Sequence, residues 1–232
     1  MLTTCLQHAS RVDGGMKAVL FDLDGTLIDS ASGLGFAADL MRTKRGVPSL
    51  PLACYRPMAG AGARGMIAVA LGKTPASPDF EDLKEEFFVT YEACMLSHCE
   101  LFAGVADLIN GLTRRGLAWG IVTNKSKRFT APIVKSIPLF ATARAVVSGD
   151  TTAFAKPHPE PLLEAARQLE LAAQGCIYVG DDKRDIDAAK AAGMASYAAA
   201  WGYIGEHALD TWQADVCLNS PIDLLAFCES CS

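Results

Sequence analysis

Acidic, hydroxyl and basic side chains occur at four points of this sequence, each on the C-terminal side of a short apolar run. In chain order these points are Asp22 with Asp24, Thr123 with Asn124, Lys156, and Asp181 with Asp185. Gathered carboxylates repel one another and lose solvation energy on burial unless a cation balances them. Oxygen ligands without a suitable His or Cys set favour Mg²⁺ over Zn²⁺. If the fold brings the four points together, the sequence predicts a magnesium site beside a lysine.

Phosphoryl transfer is the chemistry that such a site supports. Mg²⁺ with few protein ligands keeps positions for water and a phosphate oxygen, while Lys156 and the Thr123 hydroxyl can hold the remaining phosphoryl oxygens. Asp22 is then placed to attack phosphorus and become an aspartyl-phosphate. Asp24 would protonate the leaving alcohol and later take a proton from the water that hydrolyses the intermediate. Its pKa must therefore rise from about 3.9, which neighbouring carboxylates can cause.

The elements that must position these side chains are strands of a parallel sheet. Short apolar runs rich in β-branched residues predict strands buried on both faces. They are residues 18–21, 117–122, 143–147, 176–179, 195–199 and 216–218. Helix-length segments separate the later runs, and this alternation predicts βαβ units with right-handed crossovers. Ligands of open α/β sheets bind beyond the carboxyl ends of the strands, which is where the polar side chains stand.

One long interval breaks this alternation. Residues 25–115 contain no convincing strand, and helical pieces fill the interval instead. The predicted helices are 34–45, 63–71 and 80–97. A structureless loop of this length would be implausible, whereas a helical insertion with its own small core is not. The predicted domains are a flexible extension at 1–15, an α/β core of 16–31 plus 101–232, and a helical cap at 32–100.

The polar segments resemble, in order, the four motifs of the haloacid dehalogenase-like hydrolases. The matching residues are DLDGTLIDS at 22–30, TN at 123–124, KPHP at 156–159 and GDDKRDIDAAKAAG at 180–193. They anchor the whole predicted core, and the helical insertion resembles that superfamily's small α-helical cap. The resemblance implies a doubly wound, Rossmann-like parallel sheet with an inserted cap domain.

The same resemblance implies a role for each motif residue. Asp22 would be the nucleophile, Asp24 the general acid and base, and Thr123 and Lys156 the phosphate ligands. Asn124, beside Thr123, is a further candidate for substrate binding. The implied ligands of Mg²⁺ are Asp22, the backbone carbonyl of Asp24, and Asp181. Asp185 resembles the family's outer acid, which orients metal-bound water or the lysine from a second shell.

Further likeness narrows the expected substrate to a small carboxylated phosphate ester. The C-terminal motif and the cap resemble phosphoglycolate phosphatases. The segments 60–71, 119–129 and 201–204 resemble a branch that includes the N-acetylmuramic acid 6-phosphate phosphatases of cell-wall recycling. A sugar phosphomutase would use the same aspartyl-phosphate. A phospho-accepting signalling module, such as a receiver domain, is the non-enzyme alternative, although receivers are about half this length and have no inserted domain.

Outside the motifs, a few residues have competing interpretations. Arg64 follows a glycine-rich stretch of the predicted cap and could bind a substrate carboxylate through two hydrogen bonds. Lys125, Lys127 and Arg128 are expected to be solvated surface charges. Trp201 and Tyr203 are expected to pack at the sheet edge.

Composition excludes several other classes of protein. The chain has 232 residues, 50% of them apolar and 20% charged, so it can bury a sizeable core. Its net charge of −5 argues against nucleic acid as a partner. The longest uncharged stretch, 191–205, is too short for a membrane span. Residues 1–15 have no pattern of a secretory signal, and Met16 is an alternative start. The cysteines of Cys228-x2-Cys231 are expected to be ordinary reduced thiols. The predicted location is therefore the cytoplasm.

Overall fold

The computed structural model describes residues 15–205 and 208–229, and the chain divides into two compact units. One unit holds the described residues up to Leu27 and from Leu101 onward, and the other is Ile28–Glu100. The first boundary was predicted after residue 31, and the structure divides after Leu27. Of the predicted extension, residues 1–14 lie outside the described part of the chain.

Strands and helices alternate through most of the chain. In chain order they are β1 (Ala18–Phe21), β2 (Ile28–Asp29), α1 (Ala31–Lys44), α2 (Leu52–Tyr55), α3 (Gly62–Leu71), α4 (Phe80–Cys94), β3 (Glu100–Leu101), α5 (Val105–Arg114), β4 (Ala118–Val122), α6 (Lys127–Ser136), β5 (Ala145–Val147), α7 (Glu160–Gln168), β6 (Cys176–Gly180), α8 (Lys183–Ala192), β7 (Ala195–Ala199), β8 (Val216–Leu218) and α9 (Leu224–Glu229). The six predicted strands correspond to β1, β4, β5, β6, β7 and β8. The two-residue strands β2 and β3 are too short to leave a pattern in the sequence.

Six strands form a sheet in the order β5-β4-β1-β6-β7-β8, and every pair in it is parallel. The predicted α/β fold with a parallel sheet is therefore confirmed. The central strand β1 is buried along its whole length, as expected for a strand covered on both faces. The chain moves to one side of β1 with β4 and β5 and to the other side with β6, so the strand order reverses between β1 and β6. Such a reversal is where open α/β sheets bind ligands.

Apolar side chains of the sheet and the helices over it make up the main core of this unit. Leu20 and Tyr178 of the sheet pack in one cluster with Leu162 of α7 and Ala188 of α8. Burying a large apolar side chain contributes about 1.5–3 kcal/mol, so this cluster fixes the strand ends that carry the polar side chains. A smaller cluster joins Ile186, Ala198 and Trp212, with Ile204 packed against it.

Helices make up most of the unit Ile28–Glu100. The helices α1, α3 and α4 pack against one another, and the apolar residues Phe80, Leu83, Phe87 and Tyr91 of α4 are buried. Gly35 of α1 lets the next segment approach closely, since a Cβ there would lie 2.9 Å from Leu52 and 3.1 Å from Tyr55. The predicted helices at 34–45, 63–71 and 80–97 correspond to α1, α3 and α4. The function of this unit as a cap stays a prediction.

Among the described residues, no helix is long and apolar enough to cross a membrane. Cys228 is buried, and Cys231 lies outside the described residues, so the thiol prediction for that pair is untested. The predicted cytoplasmic location also stays a prediction.

Candidate active site

Three neighbouring strands end at the same edge of the sheet, and each leads into a residue of the predicted site. Phe21, the last residue of β1, stands opposite Ile121 of β4 and Val179 of β6. Because the strands are parallel and in this register, the residues that follow them leave the sheet side by side. Asp22, Thr123 and Asp181 therefore emerge at one edge. The prediction that distant segments meet at the carboxyl ends of the strands agrees with this arrangement.

Three carboxylates lie together at this edge. Asp22, Asp181 and Asp185 each place a carboxylate oxygen within 4.8 Å of the others, and Asp181 and Asp185 are buried. Asp185 was predicted to lie outside the metal ligands, whereas one of its carboxylate oxygens lies within the same 4.8 Å of those of Asp22 and Asp181. The negative charges of such a cluster repel one another, so a positive charge nearby stabilises its ionised form.

Lys156 supplies part of that charge. Its Nζ lies 2.9 Å from Oδ1 of Asp22 and 2.8 Å from Oδ1 of Asp185, and only 2% of the side chain is exposed. It also donates to the hydroxyl of Tyr178 at 2.7 Å and to the carbonyl of Val122 at 3.0 Å. Burial alone would lower the pKa of Lys156, but the carboxylates of Asp185 and Asp22 outweigh burial and raise it. The side chain is therefore an ammonium held by four oxygens.

One ammonium does not balance the cluster. Burial raises the pKa of Asp22 to about 7, with Lys156 opposing the rise and Asp185 adding to it. Burial also raises the pKa of Asp181 well above its usual range, with further contributions from Asp22 and Asp185. The protein alone therefore stabilises the ionised cluster poorly. Carboxylate oxygens gathered in this way fit a hard divalent cation.

Asp181 is held by hydrogen bonds and by two glycines. Its carboxylate accepts from the hydroxyl of Thr26 at 3.0 Å and from the backbone N–H of Tyr203 at 2.8 Å. A Cβ at Gly25 or at Gly202 would overlap the Asp181 side chain. Gly25 has a positive φ of 84°, a backbone conformation that favours glycine. These glycines let two loops close directly on the carboxylate.

Thr123 and Asn124 hold neighbouring loops in place. Thr123 is buried, and its hydroxyl accepts from the backbone N–H of Lys125 at 3.1 Å. The Asn124 amide pairs with the backbone of Lys156 in both directions, each bond being 2.9 Å. Asn124 therefore fixes the loop that carries Lys156. Its predicted contact with substrate stays a prediction.

Asp24 and Lys125 form an ion pair, which sequence analysis missed. The Nζ of Lys125 lies 2.7 Å from Oδ1 of Asp24, with 9% and 17% of the two side chains exposed. The expectation that Lys125 is a solvated surface charge was wrong, whereas Lys127 and Arg128 are exposed as expected. Carboxylates were expected beside Asp24, whereas a group in direct contact with it is the ammonium of Lys125. One feature of the sequence could have indicated this ion pair: Lys125 lies in the loop that follows β4, at the edge of the sheet where the site lies.

The family model described as haloacid dehalogenase-like hydrolase matches residues 19–199. The chain belongs to this family. It is 44% identical to a phosphoglycolate phosphatase of Xanthomonas campestris pv. campestris, over 90% of this chain and 94% of that protein. It is 36% identical to an N-acetylmuramic acid 6-phosphate phosphatase of Pseudomonas putida, over 93% of this chain and 97% of that one. The resemblance and the prediction of an enzyme, a phosphatase of this family, are confirmed.

Two solved structures illustrate the shared fold. A predicted phosphoglycolate phosphatase from Haemophilus somnus 129PT superposes with a TM-score of 0.80 at 24% identity, over 91% of this chain and 97% of that one. CbbY from Rhodobacter sphaeroides, solved in complex with phosphate, superposes with a TM-score of 0.72 at 25% identity, over 92% and 99% of the two chains. A receiver-type signalling module is not compatible with this family membership.

In this hydrolase, the segment after β7 contributes more than packing. The indole N–H of Trp201 donates to the carbonyl of Thr26 at 2.9 Å, and Tyr203 donates its backbone N–H to Asp181. The expectation that Trp201 and Tyr203 only pack at the sheet edge was therefore incomplete. They tie the loop after β1 to the loop after β6, because Thr26 and Asp181 belong to those loops.

Asp182, which the motifs left without a role, begins α8. Its carboxylate accepts from the backbone N–H of Arg184 at 2.9 Å, and its own N–H donates to Asp185 at 3.1 Å. This reciprocal capping box stabilises the first turn of α8 and orients Asp185 toward Lys156.

Arg64 lies in α3 of the other unit and is exposed. Its contact with substrate stays a prediction.

Proposed function

We propose that this hydrolase is a Mg²⁺-dependent phosphomonoesterase acting on a small carboxylated phosphate ester, in the manner of a phosphoglycolate phosphatase. One observation carries the proposal: Asp22, Asp181 and Asp185 are gathered at one sheet edge with the ammonium of Lys156 between Asp22 and Asp185. The relatives named phosphoglycolate phosphatase, at 44% identity over nearly the full length, support the substrate class.

Mg²⁺ would be held by the carboxylates of Asp22 and Asp181 and the backbone carbonyl of Asp24, with Asp185 beside them. When bound, the ion supplies positive charge against the phosphoryl oxygens. The set fits this ion because all its donors are oxygens and because the protein alone leaves the cluster short of positive charge.

In the first step, a carboxylate oxygen of Asp22 attacks phosphorus and the bond to the leaving oxygen breaks. Lys156 and the hydroxyl of Thr123 hold phosphoryl oxygens, while Asp24 gives its proton to the departing alcohol. In the second step, water attacks the phosphorus of the aspartyl-phosphate. Asp24 takes a proton from this water, the bond to Asp22 breaks, and inorganic phosphate leaves.

The carboxylate of the substrate would be recognised from the predicted cap. Arg64 offers a planar guanidinium that can bind a carboxylate through two hydrogen bonds, and Asn124 is a second candidate contact. N-acetylmuramic acid 6-phosphate also has a carboxylate. Relatives that act on it, at 36% and 37% identity, make it the second candidate substrate.

A panel of phosphate esters with and without Mg²⁺ tests the proposal. It should include 2-phosphoglycolate, N-acetylmuramic acid 6-phosphate and common sugar phosphates, compared by kcat/KM. We expect release of free phosphate that requires Mg²⁺ and no sugar bisphosphate, and a preference for one of the two carboxylated esters. A requirement for a sugar bisphosphate would indicate the phosphomutase alternative. Arg64→Ala should raise KM for carboxylated esters more than for neutral ones.

Asp22→Asn tests the covalent step. Replacing the nucleophile should abolish hydrolysis of p-nitrophenyl phosphate, because the amide cannot form the phosphoenzyme. Asp187→Asn is the control for the same chemical change away from the cluster, since Asp187 lies in α8, is 40% exposed and pairs with Lys183. Turnover by Asp22→Asn close to that of the control would refute covalent catalysis at this residue.

A further inference from the structure

The backbone of Lys125 is fixed on both sides. Its N–H donates to the hydroxyl of Thr123 at 3.1 Å, and its carbonyl accepts from the N–H of Gly149 at 2.8 Å and from the hydroxyl of Thr130 at 3.1 Å. A Cβ at Gly149 would overlap the backbone of Asn124, so the approach of the two loops depends on glycine there. The Lys125 side chain therefore starts from a point that three neighbours hold in place.

From that point the side chain reaches the second carboxylate of the loop after β1. The 2.7 Å contact between Nζ of Lys125 and Oδ1 of Asp24 is largely shielded from water, with 9% and 17% of the side chains exposed. Exposed lysines gain little from ion pairs, because solvent screens the attraction and holding the long side chain costs entropy. Burial weakens the screening, so this ammonium holds the carboxylate at a defined place.

We propose that Lys125 is a positioning residue for the second step of the reaction. By its ion pair it keeps the Asp24 carboxylate where that group accepts a proton from the water attacking the phosphoenzyme. The inference rests on the proposed function, since it requires an aspartyl-phosphate and Asp24 as the base. It makes the proposed function depend on Lys125, a residue outside the four motifs.

The neighbouring Lys127 provides a matched control. It is two residues further along the same loop, at the start of α6, and its side chain is exposed. Lys125→Met and Lys127→Met remove the same charge and leave the same side-chain bulk. A difference between them therefore reports the contact with Asp24 and not the net charge of the loop.

The experiment compares wild type, both lysine variants and Asp24→Asn with p-nitrophenyl phosphate and Mg²⁺. This leaving group needs no proton, so Asp24 acts in the second step alone. Quenched-flow measurements give the rate of the first turnover, steady-state assays give kcat, and mass spectrometry after acid quench gives the fraction of phosphoenzyme. Should Lys125→Met not fold, Lys125→Gln replaces it with the same expected direction, because the amide lacks the charge.

For Lys125→Met we expect a first turnover within about 3-fold of wild type and a kcat lower by about 10-fold or more. General-base catalysis contributes about 10²–10⁴-fold, and a misplaced base loses part of it. Phosphoenzyme should then accumulate above the wild-type fraction, as in Asp24→Asn, while Lys127→Met behaves as wild type.

Two results overturn the inference in distinguishable ways. If Asp24→Asn accumulates phosphoenzyme and Lys125→Met does not, Lys125 has no positioning role and the proposed function stands. If neither variant accumulates phosphoenzyme and Asp22→Asn retains turnover, the proposed function itself fails. Equal losses of kcat in Lys125→Met and Lys127→Met would also reject the inference. Lys125 contacts Asp24, so equal losses would report the removed charge and not that contact.

Discussion

The buried acidic cluster should make the metal-free protein less stable at neutral pH than in acid, and Asp22 is the group that can show it. Burial raises the pKa of Asp22 from 3.8 to about 7 in the folded state. A carboxyl with a raised folded pKa binds its proton more tightly in the folded than in the unfolded state. It therefore costs nothing below about pH 4, costs increasingly more between pH 4 and 7, and exerts its full destabilising effect above pH 7.

The size of this effect follows from the pKa. Each pKa unit corresponds to about 1.4 kcal/mol, so raising the pKa from 3.8 to about 7 makes ionised Asp22 cost at most about 4 kcal/mol. Asp22→Asn is uncharged at every pH and nearly isosteric, but it gives up the 2.9 Å ion pair with Lys156. We therefore expect a gain of about 1–4 kcal/mol at pH 8 in EDTA, or about 2–4 °C in Tm per kcal/mol for a chain of this length.

Thermal and urea unfolding at pH 5 and pH 8, in EDTA and in millimolar Mg²⁺, measure the effect. In EDTA the gain from Asp22→Asn should shrink on going from pH 8 to pH 5, because the wild-type carboxyl then takes up its proton. Added Mg²⁺ should raise the Tm of wild type more than that of the variant. The exposed control Asp187→Asn should stay within about 0.5 kcal/mol of wild type. A wild-type Tm that exceeds that of Asp22→Asn at pH 8 without metal would refute the reasoning.

Two further substitutions test how the site is held. Tyr178→Phe removes a buried hydroxyl that accepts from Lys156 and donates to the carbonyl of Val122, both at 2.7 Å. A hydrogen bond to a charged group contributes about 1.5–3 kcal/mol, so we expect kcat/KM to fall at least about 10-fold. Inorganic phosphate should also inhibit the variant less than wild type. Tyr197→Phe on β7 is the control. Gly202→Ala places a Cβ against Asp181 and the carbonyl of Gly25, and should weaken Mg²⁺ activation at least about 10-fold. Gly175→Ala, where a Cβ has 3.6 Å to its nearest neighbour, should leave Mg²⁺ activation unchanged.

The sheet could be predicted from the sequence because its central strands β1, β4 and β6 are buried on both faces. Such strands appear as continuous apolar runs, and the polar residue after each run marks the strand end. The position of Asp22 after β1 and of Asp181 after β6 therefore indicated a shared edge before any register was known. The register of Phe21 with Val179 supplies what the sequence lacked, namely that Asp22 and Asp181 leave the sheet side by side.

The contacts that orient the carboxylates could not be predicted in this way. Lys125 and Asp24 are 101 residues apart, and Trp201 and Thr26 are 175 apart, so no local period connects them. A lysine in a loop is usually solvated, and nothing in the residue type distinguishes Lys125 from Lys127. The fixed backbone of Lys125 and the nearby carboxylate decide the matter, and both are properties of the folded chain.

Two aspartates only two residues apart, Asp22 and Asp24, contact different cations, which suits the different roles proposed for them. Asp22 contacts Lys156, which follows β5, and Asp24 contacts Lys125, which follows β4. Because the chain turns at Gly25 directly after them, the two carboxylates face different loops and different ammonium groups. Lys156 is shared with Asp185 inside the acidic cluster, whereas the Lys125 contact holds Asp24 apart from the three carboxylates gathered there. Under the proposed function, Asp22 inside the cluster attacks phosphorus beside the ammonium of Lys156, while Asp24 exchanges its proton beside the ammonium of Lys125.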